Sequence, residues 1–172
     1  MIHLSPHYKN FLALLSEKQV RYLLVGGYAV QYYGHSRPTS DLDIWIAADP
    51  LNARRLTDVF QDFGVERTEL LEDSFQDKNR LIRLQIPPLI IEILNPIISQ
   101  KPENLSRIQG NQTQQIEILT IQSGASFEAC FTERVVDYLD GVEVNIISLR
   151  RLQAVKGATD RPKDIQDLVN LR

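Results

Sequence analysis

The segment from residue 25 to residue 46, VGGYAVQYYGHSRPTSDLDIWI, constrains the chain most strongly, because a glycine pair follows one β-prone run and two alternating carboxylates lie in another. Tyr22 to Val25 form a short apolar run, which predicts a strand that ends at the glycines. Gly26 and Gly27 then fall at a strand-to-helix turn, where a Cβ would block close approach of the backbone to a ligand. Backbone amides at such a turn can bind phosphate. The helix that follows is predicted to be short and to end at Gly34.

The two aspartates give the sharper chemical signal. Asp41 and Asp43 alternate with Leu42, Ile44 and Ile46, so a half-buried strand would place both carboxylates on one face. Two residues along a strand span about 6.5 to 7 Å, which suits divalent ions lying about 3.5 to 4 Å apart. Oxygen ligands alone favour Mg²⁺ or Mn²⁺. The alternative is a solvated strand face, although aspartate is depleted in strands and its presence there needs a reason.

Together these residues resemble a known family. The glycine pair followed by Arg37, Thr39, Asp41 and Asp43 looks like the motif of the DNA polymerase β-type nucleotidyltransferases, and most of all like the minimal bacterial branch that includes the AbiEii-type toxins. The segment from Leu149 to Leu168, with Lys156 and the run Arg161, Lys163, Asp164 and Asp167, is similar to the ending of that branch. These segments cover roughly a third of the chain and bracket most of it.

The resemblance implies a third carboxylate on a later strand, for which Glu92 is the candidate. Glu92 is the one charge in the apolar run from Leu89 to Leu94, and an ionised glutamate buried there would need a cation or solvent. The family more often has aspartate at this position. The alternative is an edge strand on which Glu92 faces water.

The same resemblance implies the further roles. Asp41, Asp43 and Glu92 would be the catalytic residues and the ligands of two Mg²⁺ or Mn²⁺ ions. The nucleotide would be bound by a second group of residues, which comprises Gly26, Gly27, Arg37, Thr39 and Lys156. For Arg37 and Lys156, a loop arginine and a solvent-facing helix lysine are the structural alternatives.

The activity implied is transfer of a nucleoside monophosphate from an NTP to a hydroxyl of RNA, tRNA or protein. A toxin of a toxin-antitoxin or phage-defence system is one expected context, with an antitoxin partner or a homodimer. Two alternatives stay open: a weakly active or inactive binding or antitoxin module, and a small-molecule (antibiotic) adenylyltransferase. The latter enzymes usually add a helical domain, for which this chain has little room.

Composition sets wider bounds. The chain has 172 residues, of which 43% are hydrophobic and 24% charged, so we expect a single domain with a helical ending from about residue 148. A single cysteine excludes an intramolecular disulfide framework, and the start of the sequence lacks a signal-peptide pattern. No apolar run reaches 18 residues. These features predict a cytoplasmic protein that has no membrane partner.

The charge pattern is uneven. The net charge of −3 argues against bulk attraction to nucleic acid, but residues 148–172 are the more basic part. This basic segment would either guide RNA or offset the acidic residues 49–77.

The remaining pattern predicts an α+β (mixed α/β) fold, with a mixed β-sheet flanked by helices. Helices are predicted from Pro6 to Lys18, from Asp49-Pro50 to Gly64, and after Ser148 and Pro162. Strands are predicted at 81–86, 89–94 and 116–122, and a hairpin turns at Asp140-Gly141. The polar stretch from Pro96 to Gln115 is predicted to be loop with a short helix.

Overall fold

A computed structural model of the chain describes residues 1–65, 69–76, 80–86, 89–95, 105–109, 113–118 and 126–171, with side chains for residues 1–65, 72–76 and 126–171. Seven helices and eight strands lie in these ranges. Their order is α1 (Pro6–Glu17), β1 (Tyr22–Leu24), α2 (Gly26–Tyr32), β2 (Leu42–Ile46), α3 (Pro50–Asp62), α4 (Glu69–Gln76), β3 (Arg80–Ile86), β4 (Leu89–Asn95), β5 (Leu105–Gln109), β6 (Thr113–Ile118), α5 (Phe127–Thr132), β7 (Val135–Leu139), β8 (Val142–Ile146), α6 (Leu149–Gly157) and α7 (Pro162–Asn170).

The strands form one sheet in the order β5-β6-β3-β4-β2-β1-β8-β7. Strand β2 runs parallel to β4 and β1 runs parallel to β8, whereas the other neighbours are antiparallel. The predicted α+β class, with a mixed sheet flanked by helices, is therefore confirmed. The strand that carries Asp43 lies near the middle of this sheet.

Helices pack on both faces of the sheet. Trp45 packs edge-on against Phe127 of α5, with ring centroids 5.4 Å apart, which places α5 on the face of Trp45 and, by alternation, of Asp43. Tyr22 is paired with Ile46, which lies on the face opposite Trp45, and Tyr22 interacts with Ser16 of α1. Residues on the Trp45 face are thus separated by the sheet from α1.

An aromatic chain joins α1, α3 and α4. The ring of Phe60 lies 5.3 Å from that of Phe11 and 5.8 Å from that of Phe75, and all three side chains are buried. Burying side chains of this size stabilises the fold by about 1.5 to 3 kcal/mol each. The three helices therefore form one layer on the face of the sheet opposite α5.

Local signals explain where the helices begin. The Ser5 hydroxyl accepts a hydrogen bond from the Tyr8 amide at 3.2 Å, and the Asp49 carboxylate accepts one from the Asn52 amide at 2.9 Å. A proline follows each cap at the first helical position, where its missing N–H costs nothing. The predicted helix starts are confirmed.

The hairpins also follow their sequence signals. Asp140 and Gly141 have φ values of 49° and 84°, the combination required by the tight turn that joins β7 to β8. Strands β3 and β4 are antiparallel and pair from Ile86 opposite Leu89, and Pro87 and Pro88 lie outside the described ranges.

One prediction in this region is wrong. The stretch from Pro96 to Gln115 was expected to be loop with a short helix, yet β5 and the start of β6 lie within it. The sequences of β5 (LSRIQ) and β6 (TQQIEI) have two apolar residues each and give a weak local strand signal. Pairing of β6 with β3 and of β5 with β6 supplies the missing stabilisation. Within the described parts of the chain, no helix has the length and apolar character needed to cross a membrane.

Candidate active site at the glycine turn and the aspartate strand

The glycine turn packs directly against the aspartate strand. Gly26 has a φ of +60°, and a Cβ at this position would lie 1.8 Å from Oδ2 of Asp43. A Cβ at Gly27 would lie 2.3 Å from Oγ1 of Thr39. Both positions therefore require glycine, Gly26 because of its backbone conformation and both because of close approach.

Asp43 is held at this turn. Its Oδ2 accepts a long hydrogen bond of 3.4 Å from the Gly27 amide, and its backbone carbonyl accepts one of 3.0 Å from the Val25 amide. Asp43 is half-buried on β2 between the fully buried Leu42 and Ile44, which is the alternation that the sequence predicts. The carboxylate thus lies on the sheet face opposite these two core residues.

Asp41 lies just before β2 and is oriented from two sides. The Thr39 hydroxyl donates to the Asp41 carboxylate and carbonyl, both at 3.3 Å. The Tyr8 hydroxyl donates to the Ser40 carbonyl at 2.9 Å and so fixes the peptide that leads into Asp41. Burial, together with the negative charge of Asp41, raises the pKa of Tyr28.

The supporting role of Tyr8 could not be found from the sequence. Tyr8 belongs to the amphipathic helix α1, 32 residues before Ser40, and its ring packs edge-on against Tyr28 with centroids 5.9 Å apart. An aromatic residue on a helix indicates core packing and nothing about a distant carbonyl group.

The register of the sheet places Glu92, the third predicted acid, next to Asp43. Strands β2 and β4 are parallel neighbours, and Asp43 is paired with Glu92. Neighbouring strands lie about 4.8 Å apart, so the backbones of these residues are adjacent. The side chain of Glu92 lies outside the part of the structure that is described.

Arg37 forms an ion pair with Asp167 of helix α7. Its guanidinium group donates to both carboxylate oxygens of Asp167, from Nε at 2.8 Å and from Nη2 at 3.1 Å, whereas its buried Nη1 has no hydrogen-bond partner among the described residues. His35 Nε2 lies 3.8 Å from the same carboxylate. This bidentate pair anchors the loop before β2 to helix α7.

Lys156 completes a buried C-terminal ion cluster that consists of Arg37, Lys156, Asp164 and Asp167. Its Nζ lies 2.6 Å from Asp164 Oδ1 and 2.9 Å from Asp167 Oδ2, and Lys156 is only 6% exposed. The alternative interpretation of Lys156, a solvent-facing residue on a helix, is therefore wrong.

The cluster holds its acids in the charged form. Burial alone would raise the pKa of Asp164, but hydrogen bonds from Lys156 and Thr159 bring it below its usual value. Burial opposes the same shift at Asp167, where hydrogen bonds from Arg37 and Lys156 lower the pKa. Both carboxylates are thus ionised and fully paired at neutral pH.

The predicted residues therefore fall into two groups. Gly26, Gly27, Thr39, Asp41 and Asp43 meet at the turn, and the register adds Glu92. Arg37 and Lys156 meet each other through Asp167. Their predicted contacts with a nucleotide stay predictions.

The donor set at the turn fits a divalent cation. Asp41 and Asp43 offer carboxylate oxygens, which Mg²⁺ and Mn²⁺ prefer. Among residues with described side chains, no group of three or more His, Cys, Asp or Glu residues could hold a metal. Asp41 and Asp43 provide only two such side chains, and the side chain of Glu92, the third predicted ligand, lies outside the described part of the structure.

No protein-family model matches the chain, and no curated protein sequence is significantly similar to it. The structure is similar to the crystal structure of a proposed nucleotidyltransferase from Thermotoga maritima, with 14% sequence identity and a TM-score of 0.47. The alignment covers 99% of this chain and 97% of that chain. Values at this level assign no activity, so the function has to be inferred from the residues of the site.

Proposed function

We propose that the protein is a metal-dependent nucleotidyltransferase that moves a nucleoside monophosphate from an NTP to a hydroxyl group of an acceptor. The observation that carries this proposal is the register of Asp43 with Glu92, beside a glycine turn that packs against the Asp43 carboxylate. The motif shared with the DNA polymerase β-type nucleotidyltransferases supports the same assignment.

In this proposal, Asp41, Asp43 and Glu92 hold the divalent cations. When bound, Mg²⁺ or Mn²⁺ would neutralise the triphosphate and make the acceptor hydroxyl a better nucleophile. Thr39 and the Tyr8–Ser40 hydrogen bond orient Asp41, and the Gly27 amide orients Asp43. Preorganised carboxylates of this kind avoid a reorganisation cost during the reaction.

The transfer itself needs no protein nucleophile. The acceptor oxygen forms a bond to the α-phosphorus while the bond to the leaving pyrophosphate breaks, and Glu92 would accept the proton of the hydroxyl. Gly26 and Gly27 let Asp43 and Thr39 pack against the turn, because neither glycine carries a Cβ. The amides of this turn would bind the phosphates of the nucleotide. Arg37 and Lys156 would contact the phosphates only if the C-terminal ion cluster rearranges.

The acceptor is proposed to be RNA, including tRNA, or protein. A toxin role, with an antitoxin partner or a homodimer, is proposed from the sequence motif alone. An antibiotic adenylyltransferase would use the same residues with a different acceptor.

A second candidate is a binding or antitoxin module with little catalytic activity. The pairing of Arg37 and Lys156 with buried carboxylates favours it, because both cations that were expected at the phosphates are already engaged. Nucleotide binding without transfer would be its signature.

The test is transfer of label from each α-³²P NTP, with Mg²⁺ or Mn²⁺, into bulk RNA and into lysate protein. We expect label in one fraction with the wild-type protein and none with Asp43→Ala, which should keep its fold. Asp62→Ala removes an exposed carboxylate from α3 and is the matched control. Absence of label in both fractions, with nucleotide binding retained, would support the binding module.

A further inference from the structure

The hydroxyl group of Tyr28 differs from those of the other tyrosines. The chain has six tyrosines, and five of their hydroxyl groups are hydrogen-bonded within the described residues. The partners are the Ser40 carbonyl for Tyr8, the Asn145 amide for Tyr22, Asp137 for Tyr32, the Ile147 carbonyl for Tyr33 and Glu143 for Tyr138. Within the same part of the chain, the Tyr28 hydroxyl has no such partner. A buried tyrosine usually has one.

The body of Tyr28 is buried, but its hydroxyl is accessible. Tyr28 is only 7% exposed, and its ring packs edge-on against that of Tyr8 with centroids 5.9 Å apart. Among the described residues, Arg37 Nη1 and Ser148 Oγ are the buried side-chain atoms that lack a hydrogen-bond partner, and the Tyr28 oxygen is not one of them. The small exposed part of Tyr28 therefore includes its hydroxyl oxygen. The ring is too deeply buried to stack on a base.

Tyr28 lies beside the aspartate strand. It directly follows Gly27, whose amide donates to Asp43 at 3.4 Å. Its ring neighbour Tyr8 fixes the peptide that leads into Asp41. Burial and the negative charge of Asp41 raise the pKa of Tyr28, so its phenol is protonated at neutral pH. The site thus contains a neutral hydroxyl donor next to the predicted metal ligands.

A donor in this place suits an anion that enters the site. In the proposed function, the cations at Asp41 and Asp43 bind the triphosphate, which brings phosphate oxygens to the neighbourhood of Tyr28. A hydrogen bond to such a charged oxygen is roughly twice as strong as one between neutral groups. Arg37, which was predicted to bind the same phosphates, is already paired with Asp167.

We propose that Tyr28 is a nucleotide-binding residue whose hydroxyl donates a hydrogen bond to a phosphate oxygen of the bound triphosphate. This inference rests on the proposed function, because the cations at Asp41 and Asp43 bring the phosphates to Tyr28. The contact forms only in the complex. Deleting the hydroxyl therefore removes an interaction with the ligand and no hydrogen bond within the described part of the protein.

Binding can be measured without catalysis. Tyr28→Phe removes the hydroxyl and keeps the ring. The matched control is Tyr32→Phe, which makes the same change one helical turn further along α2, where the hydroxyl donates to Asp137 at 2.6 Å. Calorimetry with Mg²⁺ present gives the affinity of each full chain for inorganic tripolyphosphate and for a non-hydrolysable ATP analogue. Tripolyphosphate has no base, so its binding does not depend on nucleotide preference.

We expect Tyr28→Phe to bind tripolyphosphate and the analogue roughly tenfold more weakly or worse. Tyr32→Phe should keep the wild-type affinity for both. Without a phosphate probe, Mn²⁺ should bind Tyr28→Phe as it binds the wild type.

Stability should change in the opposite sense. Tyr32→Phe loses a hydrogen bond within the protein, whereas Tyr28→Phe does not. Tyr32→Phe should therefore have the lower midpoint of urea unfolding, and Tyr28→Phe should unfold like the wild type. A merely structural role of the Tyr28 hydroxyl would reverse this order.

Several results would overturn the proposal: no binding of tripolyphosphate by the wild type, wild-type affinity of Tyr28→Phe, or equal weakening in both variants. Weaker binding of the analogue alone would place the hydroxyl at the sugar or the base. A loss of Mn²⁺ affinity without a phosphate probe would show that Tyr28 acts through Asp41 instead. Failure of the proposed function looks different, because tripolyphosphate and the analogue would then bind through Tyr28 while no NTP yields labelled product.

Discussion

Gly26→Ala is the change that tests the link between the glycine turn and the aspartate strand. Gly26 combines a φ of +60° with a position at which a Cβ would lie 1.8 Å from the Asp43 carboxylate. An alanine therefore meets two separate penalties. The carboxylate has to move, since a Cβ cannot approach an oxygen so closely.

The magnitude follows from these two penalties. A residue with a Cβ pays about 1 to 2 kcal/mol for the left-handed conformation. Displacing Asp43 also breaks its hydrogen bond with the Gly27 amide, which costs about 1 kcal/mol because the bond is long. We expect the free energy of unfolding to fall by about 2 to 3 kcal/mol, and label transfer to be lost.

Gly64→Ala is the matched control. Gly64 follows helix α3 with a φ of +97°, and a Cβ there would meet nothing within 4 Å. It carries the backbone penalty without the collision. Urea unfolding gives the stability of each variant, and transfer of label from α-³²P NTP gives its activity.

The two readouts separate the causes. Gly64→Ala should lose stability but keep transfer, whereas Gly26→Ala should lose both. Wild-type transfer by Gly26→Ala would refute the reasoning, because it would mean that the position of the Asp43 carboxylate against the turn is irrelevant to activity.

Three further predictions concern the supporting contacts. Lys156→Met should lower the free energy of unfolding by about 1.5 to 3 kcal/mol, measured in urea, since it removes the shared cation of Asp164 and Asp167, which keep Arg161 and Arg37 as cationic partners. Because the pKa of both carboxylates is lowered in the folded state, their contribution to stability is present above about pH 4 and is lost as pH falls through the folded-state values. Melting temperatures should therefore decline on acidification below pH 4, and less steeply in Asp167→Asn. Tyr8→Phe should cost about 1 kcal/mol of stability in urea and slow transfer with the fold intact, because the Ser40 carbonyl loses its donor; an unchanged rate would remove Tyr8 from the site.

Local signals predict a large part of the fold. The turn at Gly26 and Gly27, the alternation around Asp43 and the hairpin at Asp140-Gly141 each depend on residues close in sequence. Backbone conformation and side-chain period decide such features, so they can be predicted without a tertiary structure. The strand position of Glu92 belongs to this group, although its register with Asp43 does not.

The contacts between distant segments could not be predicted. Arg37 meets Asp167 across 130 residues, and Tyr8 meets Ser40 across 32. Helix α4 and helix α5 are short, and short helices depend on packing such as that of Phe75 on Phe60 more than on propensity. Strand β5 and the start of β6 could not be predicted because pairing, not local sequence, stabilises them, whereas the predicted strand at 116–122 overlaps the end of β6.

The most direct test of the proposed site is a titration of the protein with Mn²⁺, in which electron paramagnetic resonance measures binding with and without a non-hydrolysable NTP analogue. The wild-type protein and the control Asp62→Ala should both bind Mn²⁺ more tightly when the analogue is added. Asp43→Ala should lose this binding while it remains folded by circular dichroism. Wild-type Mn²⁺ affinity in folded Asp43→Ala would contradict the assignment of the aspartate strand as the metal site.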